Sequence, residues 1–271
     1  MINFYQSIMP MKESWRKFLP LQTKRGRLKE GKFIVEGVRL SREALLSPMK
    51  IERAFITEEF SRNPLWNEFK EYFNRKKVGY SIINRKNLKK LAGTETPQGI
   101  LLIAHIPQQN IEKLKFDSYD FILFLQSIRD PGNLGTLIRS ADWFNVKLVL
   151  LSTDCVDPFN PKVVRSTMGS IFHLPVVEVN NFRKIISRLK KGHFLVIATS
   201  LAAKNTLDTL ELKKPVALIL GGEARGISAE VEALAGISTR IYKYGQAESL
   251  NVAVAGGIIM NHIANQIYKH K

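Results

Sequence analysis

Residues 121–146, FILFLQSIRDPGNLGTLIRSADWFNV, constrain the chain more than any other stretch. The bulky apolar run from Phe121 to Leu125 has the length of a buried strand. Gln126, Asp130, Pro131 and Gly132 break the run and read as a loop. From Asn133 onward, Leu134, Leu137, Ile138, Ala141 and Phe144 fall at helical spacing. A strand therefore ends in a polar loop, and a helix opens there with Asn133 and Gly135 near its first turn. Arg129 and Arg139 lie on or beside the same loop. Open α/β sheets place ligands beyond the carboxyl ends of their strands, so this turn marks an edge of a candidate active site. The competing interpretation is a βα turn whose Pro, Gly and Asn only shape the backbone.

The same alternation continues on both sides. Downstream, strand 147–152 and the loop DPFNP precede a helix carrying Lys162, Arg165 and Met168. The strand HLPVVEV, helix 181–190 and strands 194–199 and 215–220 follow, a pattern that predicts a mainly parallel sheet covered by helices. Upstream, strands are expected at 33–35, 51–57, 78–83 and 99–104. Helices fall between them: one carrying Val38, Ala44 and Leu45, one over 64–74, and one opened by Asn84 and closed by Gly93. The polar segment HIPQQNIEKLKFDS reads as a linker. The expected organisation is a basic N-terminal segment over 1–32, a small α/β domain over 33–104, a linker over 105–118 and a second α/β domain over 119–271. A length of 271 residues suits two such domains.

Charge narrows the partner. The net charge is +17, from 41 basic and 24 acidic residues. Residues 1–110 hold 21 basic and 10 acidic side chains, against 20 and 14 in the rest. An excess of this size points to a polyanion, with nucleic acid first. The segment 12–32 concentrates it: eight Lys and Arg surround Trp15 and Phe18, and the segment is expected to lie along a phosphate backbone. No apolar run approaches the roughly 18 residues of a membrane helix, and the N-terminus does not read as a signal peptide. One cysteine, Cys155, excludes an internal disulfide and fits a reducing compartment, which places the protein in the cytoplasm. The five histidines lack metal-ligand spacing, so no metal site is expected.

Two more stretches carry chemistry. VALILGGEARGIS, residues 216–228, is a buried strand running into Gly221 and Gly222, then Glu223, Arg225 and Gly226. Paired glycines let backbone approach a ligand closely. The loop is not a Walker loop, because Ile227 stands where the lysine is needed. It is not a dinucleotide fingerprint either, because Glu223 takes the second glycine position. The stretch AESLNVAVAGGIIMNHIANQIY offers Ser249 as an N-cap to a long apolar helix. Val252, Ile259, Ile263 and Ile267 line one side of it, and Leu250, Val254 and Ile258 another. Two apolar sides call for two partners, one of them a second subunit.

Taken together, DPGNLGTLIRSA (130–141), LILGGEARGIS (218–228) and ESLNVAVAGG (248–257) resemble, in order and spacing, the three motifs of the SpoU-type RNA 2′-O-ribose methyltransferases of the SPOUT superfamily. KFIVEG, REALL and TPQGILLIA further resemble the substrate-binding domain that often precedes that catalytic domain. The resemblance implies a parallel-sheet domain with a deep C-terminal trefoil knot, a homodimer, and S-adenosyl-L-methionine as methyl donor. The position matching the family's catalytic arginine is Arg139, with Asn133 beside it. Glu223, Ser249 and Asn251 match the polar residues of the second and third motifs. Cofactor contacts are implied at Thr199, Leu220, Gly221, Gly222, Ile241 and Leu250, largely through backbone. Two positions depart from the pattern: Tyr242 stands where proline is common, and Ala253 where serine is common.

Methyl transfer to a ribose hydroxyl is an in-line displacement from an activated donor, so the protein must align the hydroxyl and have its proton removed. The resemblance gives Arg139 the proton-accepting role. A guanidinium stays protonated in proteins, so the alternative is that Arg139 orients ribose and phosphate while phosphate or water takes the proton. Ribosomal RNA is placed ahead of tRNA because of the additional N-terminal domain. A catalytically inactive RNA-binding homologue is opposed by the intact Asn133, Arg139, Glu223 and Asn251. An unrelated α/β nucleotide-binding enzyme is opposed by the failed Walker and dinucleotide patterns.

Overall fold

The computed structural model describes residues 14–222 and 226–268. The chain divides into two compact units. The first holds the chain up to Gln108 together with Phe159–His173, and the second holds Gln109–Pro158 and the chain from Leu174 onward.

The first unit is built on a four-stranded sheet of β1 (Lys32–Glu36), β2 (Ile51–Ile56), β3 (Gly79–Ile82) and β4 (Ile100–His105), in the order β1-β4-β2-β3. β4 runs antiparallel to both neighbours, and β3 runs parallel to β2. Both faces of β4 are buried, which explains its unbroken apolar sequence. Leu101 and Ile103 meet Ile34 and Phe55 on one face, whereas Leu102 and Ala104 meet Phe33, Val35 and Ala54 on the other.

The basic stretch expected along a phosphate backbone is a folded part of this unit. Trp15–Gln22 forms a 3-10 helix and Lys24–Glu30 an α-helix, which together seat Phe18 and Leu21 on the sheet. Arg27 turns inward, with only 2% of its surface exposed, and its Nη1 donates to the Leu21 carbonyl at 2.8 Å. Gly26 allows the two helices to touch, since a Cβ there would lie 1.9 Å from the Pro20 carbonyl oxygen. Two anchors among many charges gave too weak a period to read as a packed element.

Phe159–His173 completes the same unit, although it lies between two strands of the other sheet in sequence. Phe159, Val164, Ile171 and Phe172 enter the core with Phe33 and Val35, and Phe33 and Phe159 pack with ring centroids 4.8 Å apart. The helix here is short, Pro161–Ser166, and Met168 lies beyond it at φ +53°. Arg165 Nη1 reaches the buried Glu36 carboxylate at 3.2 Å. Glu36 also accepts from the Gly93 N–H at 2.9 Å and from the Thr94 hydroxyl.

The second unit contains β5 (Phe121–Gln126), β6 (Leu148–Ser152), β7 (Val176–Val179), β8 (Leu195–Thr199), β9 (Asn205–Thr206), β10 (Val216–Gly221) and β11 (Ile237–Arg240). Their order is β7-β6-β5-β10-β8-β11-β9, and every pairing is parallel. One face packs under helix Phe182–Lys191, where Phe182 stacks on Phe124 at 4.4 Å. Helices Pro131–Trp143 and Val252–Tyr268 pack together, and Gly256 permits their approach, since a Cβ would lie 2.4 Å from Leu137 Cδ2 and 2.9 Å from Leu220 Cδ1. The final helix divides as its two apolar sides predict. Val252, Ile259, Ile263 and Ile267 are buried, whereas Val254 and Ile258, and Leu250 just before it, are exposed.

Glu36→Ala would strip the Arg165 guanidinium and two further donors of their shared acceptor, an expected loss of about 2–3 kcal/mol. Glu71→Ala, which breaks only an exposed i,i+4 pair with Arg75, should leave stability nearly unchanged. Urea denaturation of both variants checks the contrast.

Candidate active site

The site is built where β5 and β10 end side by side. Gly221, the last residue of β10, pairs with Gln126, the last of β5. Beyond it the backbone folds onto its neighbours: the Gly222 N–H donates to the Gln126 carbonyl at 2.8 Å, and the Gly226 N–H to the Gly222 carbonyl at 2.8 Å. A Cβ on Gly221 would lie 2.0 Å from the Gly226 carbonyl carbon, and one on Gly222 would lie 2.3 Å from the Ser127 carbonyl oxygen. Both glycines are thus demanded by protein backbone, besides any ligand they face.

Gln126 is a residue whose role the sequence did not reveal. Its Oε1 accepts from the Ser228 N–H at 3.0 Å and its Nε2 donates to the Ser228 hydroxyl at 3.2 Å. It thereby clamps the second motif's loop, while Ser228 caps helix Ala229–Leu234. A lone glutamine after an apolar run carries no signal of such a contact. The loop after β5 is held as well. Ser127, at φ +58°, donates its hydroxyl to Asp154 at 2.6 Å, and the Ser152 hydroxyl also donates to Asp154. Burial alone would raise the Asp154 carboxyl, but these two donors hold it below its ordinary value.

Beside these loops opens a cavity of about 750 Å³. Thr199, Leu220, Gly221, Gly222, Ile241 and Leu250, the six positions implied for cofactor contact, all line it. They come from the ends of β8 and β10 and from the segment between β11 and the final helix. The Thr199 hydroxyl donates to the Ile219 carbonyl at 3.2 Å and so ties those two strand ends together. At the cavity's lip, Tyr242 and Tyr244 stand with ring centroids 4.7 Å apart and flank Lys243. Tyr244 is 92% exposed. Tyr242 is the position that departs from the family pattern, whereas nothing in the spacing distinguished Tyr244 from an ordinary loop residue.

The polar residues divide differently. Ser249 lines the cavity and is exposed, and it is not the cap of the final helix. That helix starts at Val252, and Asn251 caps it: its Oδ1 accepts from the Ala253 N–H at 2.9 Å and the Val254 N–H at 3.3 Å. Two side-chain acceptors stand before the apolar run, and the nearer one caps it. Asn251 Nδ2 also donates to Asn133 Oδ1 at 3.0 Å, which joins the first and third motifs. The helix begins two residues earlier than Asn133, which lies in its first turn. Pro131 takes the first position, and Asp130 caps the end by accepting the Asn133 N–H at 2.8 Å. Arg139 lies on the same helix, exposed, outside the cavity lining. Among the described residues its side chain makes no hydrogen bond or ion pair, and Asp142, an acid at helical spacing that could have paired with it, does not. Glu223 lies outside the described residues. No group of three or more His, Cys, Asp or Glu suited to a metal occurs among the described residues.

Residues 120–261 match the SpoU rRNA methylase family, and residues 13–102 match the MRM3-like substrate binding domain. The chain is 33% identical over 251 residues to the 23S rRNA (guanosine(2553)-2′-O)-methyltransferase RlmP of Bacillus subtilis, covering 93% of this chain and 94% of that one. Its fold is similar to the AdoMet-bound rRNA methyltransferase from Sinorhizobium meliloti, with a TM-score of 0.81 and 28% identity over 93% of each chain. An RNA 2′-O ribose methyltransferase structure gives a TM-score of 0.77 at 27% identity, covering 93% of this chain and 95% of that one.

The capping geometry separates two neighbouring residues. Asn251→Ala removes a cap and the bond to Asn133, so stability should fall by about 1–2 kcal/mol. Ser249→Ala should stay within about 0.5 kcal/mol of the parent. Thermal melting distinguishes them, and equal losses would refute the assignment of the cap.

Proposed function

The chain belongs to the SpoU rRNA methylase family, and from that premise we propose how its own residues serve the reaction and which RNA it modifies. It is an S-adenosylmethionine-dependent RNA 2′-O-ribose methyltransferase. The observation that carries the proposal is the convergence of six residues from three separate segments on one cavity, beside the Asn133–Asn251 hydrogen bond.

The cavity fits the cofactor's chemistry. Parallel strand ends and glycine backbone supply N–H and C=O groups along one edge, and Leu220, Ile241, Leu250 and Ile259 supply apolar wall for a purine. Bound there, S-adenosylmethionine supplies a methyl group already activated on a sulfonium. The protein's share of the work is then placement and proton removal. Asn133, held by Asn251, is a fixed amide for orienting the ribose. Arg139 has no acidic partner among the described residues, so its full charge is available to an RNA phosphate. Its guanidinium keeps its proton, so the 2′-hydroxyl proton passes to phosphate or water. Ser249 faces the cavity and joins the polar set around the reacting atoms in this proposal, and Glu223 is assigned to the same set from its position in the second motif alone.

Ribosomal RNA is the favoured substrate. The additional N-terminal unit and the similarity to an enzyme named for 23S rRNA support it over tRNA. A homodimer is supported by the exposed Leu250, Val254 and Ile258 and by Trp143, which is 83% exposed on the neighbouring helix. No helix among the described residues is long and apolar enough to cross a membrane. We place the activity in the cytoplasm, in keeping with the single cysteine.

Two measurements test this. S-adenosylmethionine should bind in the presence of chelator, as read by calorimetry, and binding seen only with added metal would refute the proposed site. Arg139→Ala should slow single-turnover methylation of ribosomal RNA by about 10²–10⁴-fold, with melting and cofactor affinity retained. Near-normal turnover would remove Arg139 from the mechanism.

A further inference from the structure

The positive charge of the first unit is divided unequally between the two helical layers that cover its sheet. One layer consists of Trp15–Gln22, Lys24–Glu30 and Arg85–Leu91, over the face carrying Ile34, Phe55, Leu101 and Ile103. Its first two helices expose Arg16, Lys17, Lys24, Arg25 and Lys29. The third exposes Arg85, Lys86, Lys89 and Lys90. Among the described residues the layer's own helices carry one acid, Glu30, and Glu59 from the opposite layer lies near Arg85. The opposite layer, Val38–Leu46, Glu58–Ser61 and Trp66–Lys76, holds five basic and five acidic residues. Three of those acids, Glu58, Glu68 and Glu71, already pair with Arg62, Arg42 and Arg75.

The charged layer is also held in one arrangement. Lys90 Nζ and the Arg16 guanidinium lie 5.8 and 5.5 Å from the centre of the Trp15 ring, and Gln22 Nε2 donates to the Lys90 carbonyl. The N-terminal helices and Arg85–Leu91 are thereby fastened to each other as well as to the sheet. Cations displayed on a fixed surface lose less freedom on meeting a polyanion than cations on a loose arm. Cations crowded on one surface, such as Arg16, Arg25, Lys29, Lys86 and Lys89, repel one another, and a row of phosphates relieves that repulsion while releasing its own counterions. A basic protein selected only for solubility has no reason to confine its excess to one side of one sheet.

We propose that this layer is the surface on which the phosphate backbone of the RNA substrate lies, and that the opposite layer takes no part in RNA binding. The proposal rests on the methyltransferase reading for the identity of the polyanion.

The test uses the full-length protein and an in vitro transcript of 23S ribosomal RNA, with affinity measured across a range of potassium chloride. The triple variant Arg25→Ala/Lys86→Ala/Lys89→Ala should flatten the slope of log affinity on log salt by about 2, at roughly 0.7 for each lost phosphate contact. Affinity near physiological salt should fall by on the order of tenfold. The control Arg39→Ala/Lys70→Ala/Arg75→Ala removes the same charge from the opposite layer and should keep the parent slope. An unchanged slope in the first variant, or an equal change in both, would overturn the proposal. Both variants should bind S-adenosylmethionine as the parent does. A parent protein that binds the transcript but methylates no RNA would count against the enzymatic reading, and the two slopes would still decide the location of the RNA surface.

Discussion

Backbone packed directly on backbone at the ends of β5 and β10 fixes the geometry of the catalytic unit. Gly221 and Gly222 press against Gly226 and Ser127 at separations that leave no room for a Cβ. Gln126 then satisfies the loop on one side, and the Ser127–Asp154–Ser152 cluster satisfies the neighbouring loop on the other. Walls contributed by distant segments acquire a fixed relation to one another through this contact. Any side chain at either glycine would force the two loops apart before it reached a ligand.

Parallel pairing makes that contact possible. A strand in a parallel sheet ends at the same edge as its neighbours, so successive βα loops gather there whatever their order in sequence. Here the first and second motifs meet through the pairing of β5 with β10. The third arrives by a different route, because the final helix packs on Pro131–Trp143 and carries Asn251 to Asn133. Gly256 leaves room for the close approach of those two helices.

The elements legible in the sequence were those with a long, consistent period. β5, the helix after it and both sides of the final helix follow from spacing alone, because each buries a continuous apolar stripe. Helix ends were harder to read. Asp130 and Asn133, or Ser249 and Asn251, are equivalent acceptors until the backbone selects one of them. The segment 15–30 was hidden by its own charge, since two buried apolar anchors carry a packed layer whose other side chains face water. Gln126 was silent because its role is a bond to a residue 102 positions away. Arg139 is different in kind: its candidacy came from resemblance, and no partner among the described residues accounts for its position.

Phe159–His173 has a consequence for how the chain is made. The amino-terminal unit borrows four core side chains from a segment that leaves the ribosome only after β5 and β6. Vectorial synthesis usually lets the first domain close before the second begins. Here the first core stays open on one side until Phe172 has emerged, by which time two strands of the second sheet have already been made. The two units are therefore not interchangeable cassettes. Recombination that replaced residues up to the linker alone would separate a sheet from part of its own interior.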